Sequence, residues 1–219
     1  MKEVHKESKI IYSRLDYSRV QEVAELFANL FIQEEYLIKN SKVSYENYIL
    51  ATTVRAKHAA TTGLSLIAIC ENTNKVIGFC INIDPYSEIQ VDRSSYASKD
   101  PAFEIINSAL SGLYNGISFE EKPGVNFSIY ALGVSSEFQN KGIASNLFKI
   151  SEQIAIEKNF SVILTDATSP GTKKIAEKLN YTAINKFSYK DYIYKGKKPF
   201  ENINDYYGPI LFKKIITSS

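Results

Sequence analysis

Cysteine and histidine are scarce in this chain: Cys70, Cys80, His5 and His58 are all that 219 residues contain. Nothing among them has zinc-site spacing, so no metal is expected. Two cysteines give no disulfide framework and point to a reducing, cytoplasmic compartment. They fall on neighbouring strands without facing each other, which predicts buried thiols. His58 reads as a solvated or dipole-facing histidine. No apolar run approaches the roughly 20 residues of a membrane span. The opening MKEVHKESKI has no signal-peptide core. Without such a signal the Asn-x-Ser/Thr triplets at Asn126, Asn159 and Asn180 read as chance. A surplus of one charge is also missing. Lys and Arg number 26 against 24 Asp and Glu, with no basic tail or acidic block. That argues against nucleic acid or a membrane surface as the main partner. The P-loop pattern Gly-x-x-x-x-Gly-Lys-Ser/Thr and the three-glycine dinucleotide fingerprint are both absent. There are no internal repeats and no low-complexity linkers.

What is present suits one domain over 1–219. Hydrophobic residues at 44% and charged residues at 23% are ordinary globular proportions, and the length allows a sizeable core. Ile10 to Ser13 reads as a strand, followed by a helix that Ser18 caps. Its apolar stripe is Val20, Val23, Ala24, Phe27, Leu30 and Phe31. A second helix is expected from Ser44 to about His58. Gly63 opens a strand, Leu64 to Glu71. A turn at Asn72-Thr73-Asn74 leads to Lys75 to Ile83. The long segment from Tyr86 to Gly124 carries its own helical pattern, Phe103 to Tyr114, and such insertions often bear specificity. Val125 to Val134 and Ser161 to Ala167 are apolar strands on either side of a helix, Gly142 to Ile156. Pro170 to Leu179 reads as a short helix ending at Asn180, with Tyr181 opening a strand. A last strand is expected over Tyr206 to Ile215. Alternating strands and helices of this order imply an α/β fold with a mixed sheet and helices on both faces.

Gln139-Asn140-Lys141-Gly142-Ile143-Ala144 stands between an apolar strand and an amphipathic helix. A small-residue turn there aims backbone N–H groups and the positive end of the helix dipole at one spot, which suits a phosphate. Gly142 and Ala144 keep the backbone approachable.

This stretch, preceded by Ala131-Leu132-Gly133-Val134, matches Gln/Arg-x-x-Gly-x-Gly/Ala. It resembles motif A of the GCN5-related N-acetyltransferase (GNAT) superfamily. Ala176-Glu177-Lys178-Leu179-Asn180-Tyr181 resembles that superfamily's Glu-Lys-Leu-Gly-Phe helix ending. Phe31-Ile32-Gln33-Glu34-Glu35-Tyr36-Leu37 resembles the Phe…Asp-Glu-Pro-Leu signature of invertebrate-type arylalkylamine N-acetyltransferases, with Tyr36 in place of proline. The resemblance implies an acyl-CoA N-acyltransferase fold of about seven strands, with an extra helical insertion between the third and fourth. It implies acetyl-CoA as co-substrate, held by Gln139, Asn140, Lys141, Gly142, Ile143, Ala144 and Ser145 at the pyrophosphate and by Leu132, Gly133 and Val134 along the pantetheine arm. Glu35 falls on the signature glutamate, which acts there through water as general base. Thr168 and Thr172 fall on two assisting serines.

Acetyl transfer requires a deprotonated amine, because an alkylammonium with a pKa of about 10.4 is no nucleophile at neutral pH. Glu35 is the candidate base and Glu34 the alternative, since only one can face a pocket at the end of the first helix. The Val134 N–H is the expected oxyanion donor. Thr168, Ser169 and Thr172 lie where the thiol end should emerge, although Thr168 or Ser169 could instead cap a helix. Lys173 and Lys174 are candidates for the adenosine 3′-phosphate. Some of the tyrosines, among them Tyr86, Tyr96, Tyr114 and Tyr130, are candidates to line an amine pocket. The expected activity is acetyl transfer to a primary amine of a small molecule, an arylalkylamine being one candidate. A protein N-terminal or lysine acetyltransferase and a non-catalytic CoA-binding module are the alternatives. A monomer or homodimer is expected.

Overall fold

The computed structural model describes residues 9–97, 99–204 and 206–216. His5, the N-terminal segment 1–8 and Asp205 lie outside the described residues. Seven strands form one sheet in the order β1-β2-β3-β4-β5-β7-β6. They are β1 (Ile10–Arg14), β2 (Leu66–Cys70), β3 (Lys75–Ile83), β4 (Asn126–Val134), β5 (Val162–Ala167), β6 (Thr182–Lys186) and β7 (Ile210–Ile215). Only β4 and β5 run parallel; the other neighbours are antiparallel. The helices are α1 (Val20–Glu34), α2 (Tyr36–Ser41), α3 (Tyr45–Thr62), α4 (Ala102–Gly112), α5 (Ile143–Glu157) and α6 (Pro170–Lys178). They bury the sheet from both faces, as the alternating element order implies. One core gathers α1, α3 and α4 around Phe27, Phe79 and Phe103. The other gathers α5 around Leu147, Phe148 and Phe127.

Local chemistry explains where the elements begin and end. Asp16, not Ser18, caps the N-terminal turn, its carboxylate accepting from the Ser18 N–H at 2.8 Å; Ser18 is already inside a 3₁₀ turn. Ser44 caps α3 as expected, accepting from the Asn47 N–H. That helix runs past His58 to Thr62 because Gly63, at φ 66°, supplies its left-handed cap instead of opening a strand. The first helix breaks at Glu35, whose extended backbone starts the unexpected α2. The last strand begins at Ile210 rather than Tyr206. Pro209 has no N–H for a ladder, and at Gly208 a side chain would stand 2.0 Å from the Phe187 carbonyl oxygen. Cys70 pairs with Lys75 and Cys80 with Leu66, so the two buried thiols do not meet.

Two irregularities shape the middle of the sheet. Between Ile81↔Ala131 and Asn82↔Ile129 the register shifts, leaving Tyr130 as the extra residue of a β-bulge on β4. The β4–β5 ladder then stops at Ile129↔Thr165, although β4 continues to Val134. The two strands therefore part and leave an open edge along Ala131–Val134. Gly133 lets that edge lie flat on Phe79, because a Cβ there would stand 2.6 Å from the ring. Phe79 is fully buried and unable to swing away. Gly133→Ala is expected to lower stability by about 1–3 kcal/mol through overpacking. Urea unfolding monitored by circular dichroism measures this, with the slope of the transition unchanged.

Candidate active site

A cavity of about 540 Å³ runs from the loop 139–145 along the open edge of β4 to a pocket between α1, α3 and α4. Its walls include Gln139, Asn140, Gly142, Ile143, Ala144 and Ser145 at one end, Leu132, Gly133 and Val134 in the middle, and Glu35, Thr168, Ser169 and Thr172 beyond. The structure thus brings together nearly every residue that the sequence singles out. Lys141 and Lys173 are not among the walls. The Lys141 ammonium stands 5.0 Å over the Phe138 ring, and Lys173 pairs with Glu177 at 3.8 Å.

Gly142 caps α5 in the left-handed region at φ 79°, and a Cβ on it would meet nothing within 4 Å. Its glycine identity therefore answers to backbone conformation and leaves open space in front of the helix. Asn140, at φ 61°, makes the preceding bend. The edge of β4 presents donors to the same cavity. The Ser135 N–H donates to the Ile77 carbonyl of β3 at 2.8 Å. Amide direction alternates along a strand, so the Val134 and Leu132 N–H groups point the other way, into the gap.

Glu35 ends α1 and caps α2 at once. Its carboxylate accepts from the Leu37 N–H at 3.1 Å and the Ile38 N–H at 2.7 Å. It is 8% exposed, buried where a glutamate is seldom found. Burial raises its pKa and is the largest influence; the Ile38 N–H, the Thr168 hydroxyl and the Leu37 N–H oppose it by favouring the charged form. Glu34, the alternative, is exposed and accepts from the Gln139 side chain at 3.0 Å. Its carboxylate thus fastens the end of α1 to the loop. Ser169 caps α6, accepting from the Thr172 N–H at 3.4 Å, and the two hydroxyls stand 3.3 Å apart. Thr168 is left to face Glu35.

Several wall residues escaped the sequence reading. Tyr48 and Arg55 lie on the buried stripe of α3, where Tyr48, Ala51, Thr52 and Arg55 follow helical spacing. An arginine inside an apolar helical stripe was the available signal. Asp166 was the other, an acid in the apolar run of β5. Its carboxylate accepts from the Tyr114 hydroxyl at 2.8 Å. Burial pushes its pKa up to about 6, against the stabilising Tyr114 bond. Of the candidate tyrosines, Tyr96 and Tyr130 reach the cavity while Tyr86 does not. His58 is half-buried, and desolvation, with Arg55 nearby, lowers its pKa.

The Glu35 carboxyl is expected to titrate above an ordinary glutamate, and Thr168→Val is expected to raise it further by removing a donor to the charged form. Carbon-detected NMR titration of the labelled carboxyl reads both. For Asp166 the folded pKa lies above the unfolded one, so its contribution to stability is lost as pH rises through about 6. Asp166→Asn is therefore expected to raise Tm more at pH 8 than at pH 5 in a thermal-melt series.

The family profile described as "Acetyltransferase (GNAT) family" matches residues 24–181. A curated relative is the beta-alanyl-bioamine nonribosomal peptide synthetase ebony of Drosophila melanogaster, 27% identical over 156 residues. The match takes in 65% of this chain but only 16% of that protein's length. Among solved structures, arylalkylamine N-acetyltransferase 2 from Aedes aegypti superimposes with a TM-score of 0.81 at 22% identity, covering 95% of this chain and 100% of that one. The C-terminal condensation domain of Ebony, in complex with beta-alanyl-dopamine, gives 0.80 at 22% identity with the same coverage. At such identities the likeness shows the shared fold. The profile match covers well over half of the sequence, and on it the chain belongs to the acetyltransferase (GNAT) family.

Proposed function

We propose that the protein transfers an acetyl group from acetyl-CoA directly to a primary amine of a small molecule, of the arylalkylamine type. The observation that carries this reading is the continuous cavity, which joins an anion-receptive helix N-terminus to a buried carboxylate with a raised pKa. The residues present fit acetyl-CoA. The turn at Gln139–Ser145 leaves space in front of the unpaired N–H groups of α5, where a pyrophosphate is favoured. The open edge of β4 offers N–H and C=O groups to an amide-bearing arm as a missing strand would. Acetyl-CoA bound there supplies an activated acyl carbonyl and a thiolate leaving group.

The chain's own residues do the rest. Glu35 takes a proton from the ammonium, directly or through a water, and its raised pKa brings it closer to that task. The free amine nitrogen attacks the thioester carbon, the C–N bond forms and the C–S bond breaks. The Val134 N–H, aimed into the gap, is positioned to donate to the carbonyl oxygen as negative charge develops. The second ammonium proton balances the thiolate, which leaves as the thiol. Thr168 keeps the Glu35 carboxylate oriented, while Ser169 and Thr172 border the path of the thiol. Alignment of two reactants in one cavity supplies on the order of 7–11 kcal/mol where the fit is good. That is compatible with the lack of a covalent nucleophile in this scheme.

The pocket beyond Glu35 supports the arylalkylamine class. Tyr48 and Phe103 stack at 6.4 Å, and Tyr96 meets Phe103 edge-on at 5.1 Å. Tyr96 and Phe103 belong to the 86–124 insertion, which covers the site in the manner of a small-molecule pocket rather than an open peptide groove.

Calorimetry with acetyl-CoA followed by an amine panel tests the reading. Micromolar binding is expected, weakened at least about tenfold by Gly142→Trp, which fills the space before the helix. Glu35→Gln is expected to retain that binding and lose on the order of 10²–10⁴ in kcat/KM. Absence of binding at millimolar acetyl-CoA would overturn the proposal.

A further inference from the structure

The amine pocket holds a cation that the acetyl-transfer scheme does not use. Arg55 is only 7% exposed and lines the cavity. Its guanidinium carbon lies over the Tyr130 ring, 3.9 Å from the centroid, and the group hydrogen-bonds the Tyr96 hydroxyl. Among the described residues no carboxylate lies within ion-pair distance of it. Buried guanidinium groups are ordinarily paired, because desolvating an uncompensated charge is costly. Its rigid fork of donors matches a carboxylate in two parallel bonds.

Placement within the pocket gives the cation a second meaning. Arg55 follows Tyr48 by two helical turns on the same face of α3, about 10 Å along the axis. Burial, then Tyr130 and Glu35, raise the pKa of the Tyr48 hydroxyl, and Arg55 opposes them. Glu35 and Arg55 line one cavity together with the aromatic rings of Tyr48, Tyr96, Phe103 and Tyr130. Asp166 is a further acid on its walls, with its carboxylate already accepting from the Tyr114 hydroxyl. An acceptor whose ammonium sits at Glu35 and whose other end reaches Arg55 would meet a cation there, which repels a second ammonium and attracts a carboxylate.

We propose, building on the acetyltransferase reading above, that the natural acceptor is a zwitterionic amine whose carboxylate pairs with Arg55 across the aromatic pocket. The contact with Tyr130 holds the guanidinium, and Tyr130 is the bulged residue of β4. The same charge disfavours a second ammonium beside it.

Three probes of matched shape test this: 4-(2-aminoethyl)benzoate, 2-phenylethylamine and 4-(aminomethyl)phenethylamine. Each is measured for binding by calorimetry with CoA present, and for turnover with acetyl-CoA. The carboxylated amine is expected to bind wild-type protein at least tenfold more tightly than 2-phenylethylamine, and the diamine most weakly. Arg55→Met is expected to cost the carboxylated amine ~100-fold, the usual scale for removing one partner of a buried charge pair. It should leave 2-phenylethylamine within a few-fold, with CoA affinity kept. Arg55→Lys should retain part of the preference, losing the fork but keeping the charge. Equal binding of the carboxylated and uncharged amines to wild type, or equal losses in Arg55→Met, would overturn the proposal. Carboxylate-selective binding without acetylation of any amine would instead overturn the acetyltransferase reading and leave the role of Arg55 standing.

Discussion

Parallel pairing between β4 and β5 lasts four residues and then ends, and the rest of the site depends on that parting. A closed ladder would consume the N–H and C=O groups of Leu132 and Val134, which face away from β3. The gap leaves them directed at a cavity in the middle of the protein, where they need other partners; the Gln139 side chain donates to the Val134 carbonyl at 3.3 Å. The Tyr130 bulge sits at the point of departure, where an unpaired residue twists the strand. The same bulge places Tyr130 under Arg55. One irregularity in register thus opens the cavity and furnishes part of its far wall.

Glu35 stands at a helix junction and also faces the cavity. Its side chain satisfies the first N–H groups of α2, and that alone would justify an acidic residue there. Yet capping normally takes place in water. Here Leu37 and Ile38 are buried beside it, so desolvation outweighs the donors and the net shift is upward. Tyr36 in place of a proline is compatible with this geometry, because the first helical position needs no N–H partner. Asp166 on β5 follows the same balance, with the Tyr114 hydroxyl donating to its carboxylate. Two acids in one cavity are thus held closer to neutrality than surface acids by the same physical cause.

The charges of the pocket are arranged against the overall composition. A net charge of +2 spread over the surface says little about partners. The buried Arg55 guanidinium and the two acids that share its cavity, Glu35 and Asp166, say more, because low polarity magnifies each charge. The insertion supplies Tyr96 and Phe103 of the aromatic lining. Its distance in sequence from the turn before α5, which lines the same cavity, therefore says nothing about its distance in space.

Much of the site was legible in the sequence because it is local. The strand, turn and helix around Gly142, the cap of α6 at Ser169 and the left-handed Asn180 are set by neighbours within a few residues. Amphipathic spacing marks α1, α4 and α5 for the same reason. The resemblance to the acetyltransferase superfamily added Glu35, Thr168 and Thr172, and the fold brings these into one cavity. The break at Glu35, the cap at Asp16 and the late start of β7 were misread, since each turns on a single backbone bond or a close contact. What the sequence by itself determined is most of the order of elements and the strand-turn-helix geometry at Gly142, both products of short-range patterning. Only the tertiary structure decided which glutamate is buried, which acid approaches neutrality and which arginine is buried with no ion pair among the described residues. Those properties are matters of desolvation, and desolvation comes from residues that are distant along the chain.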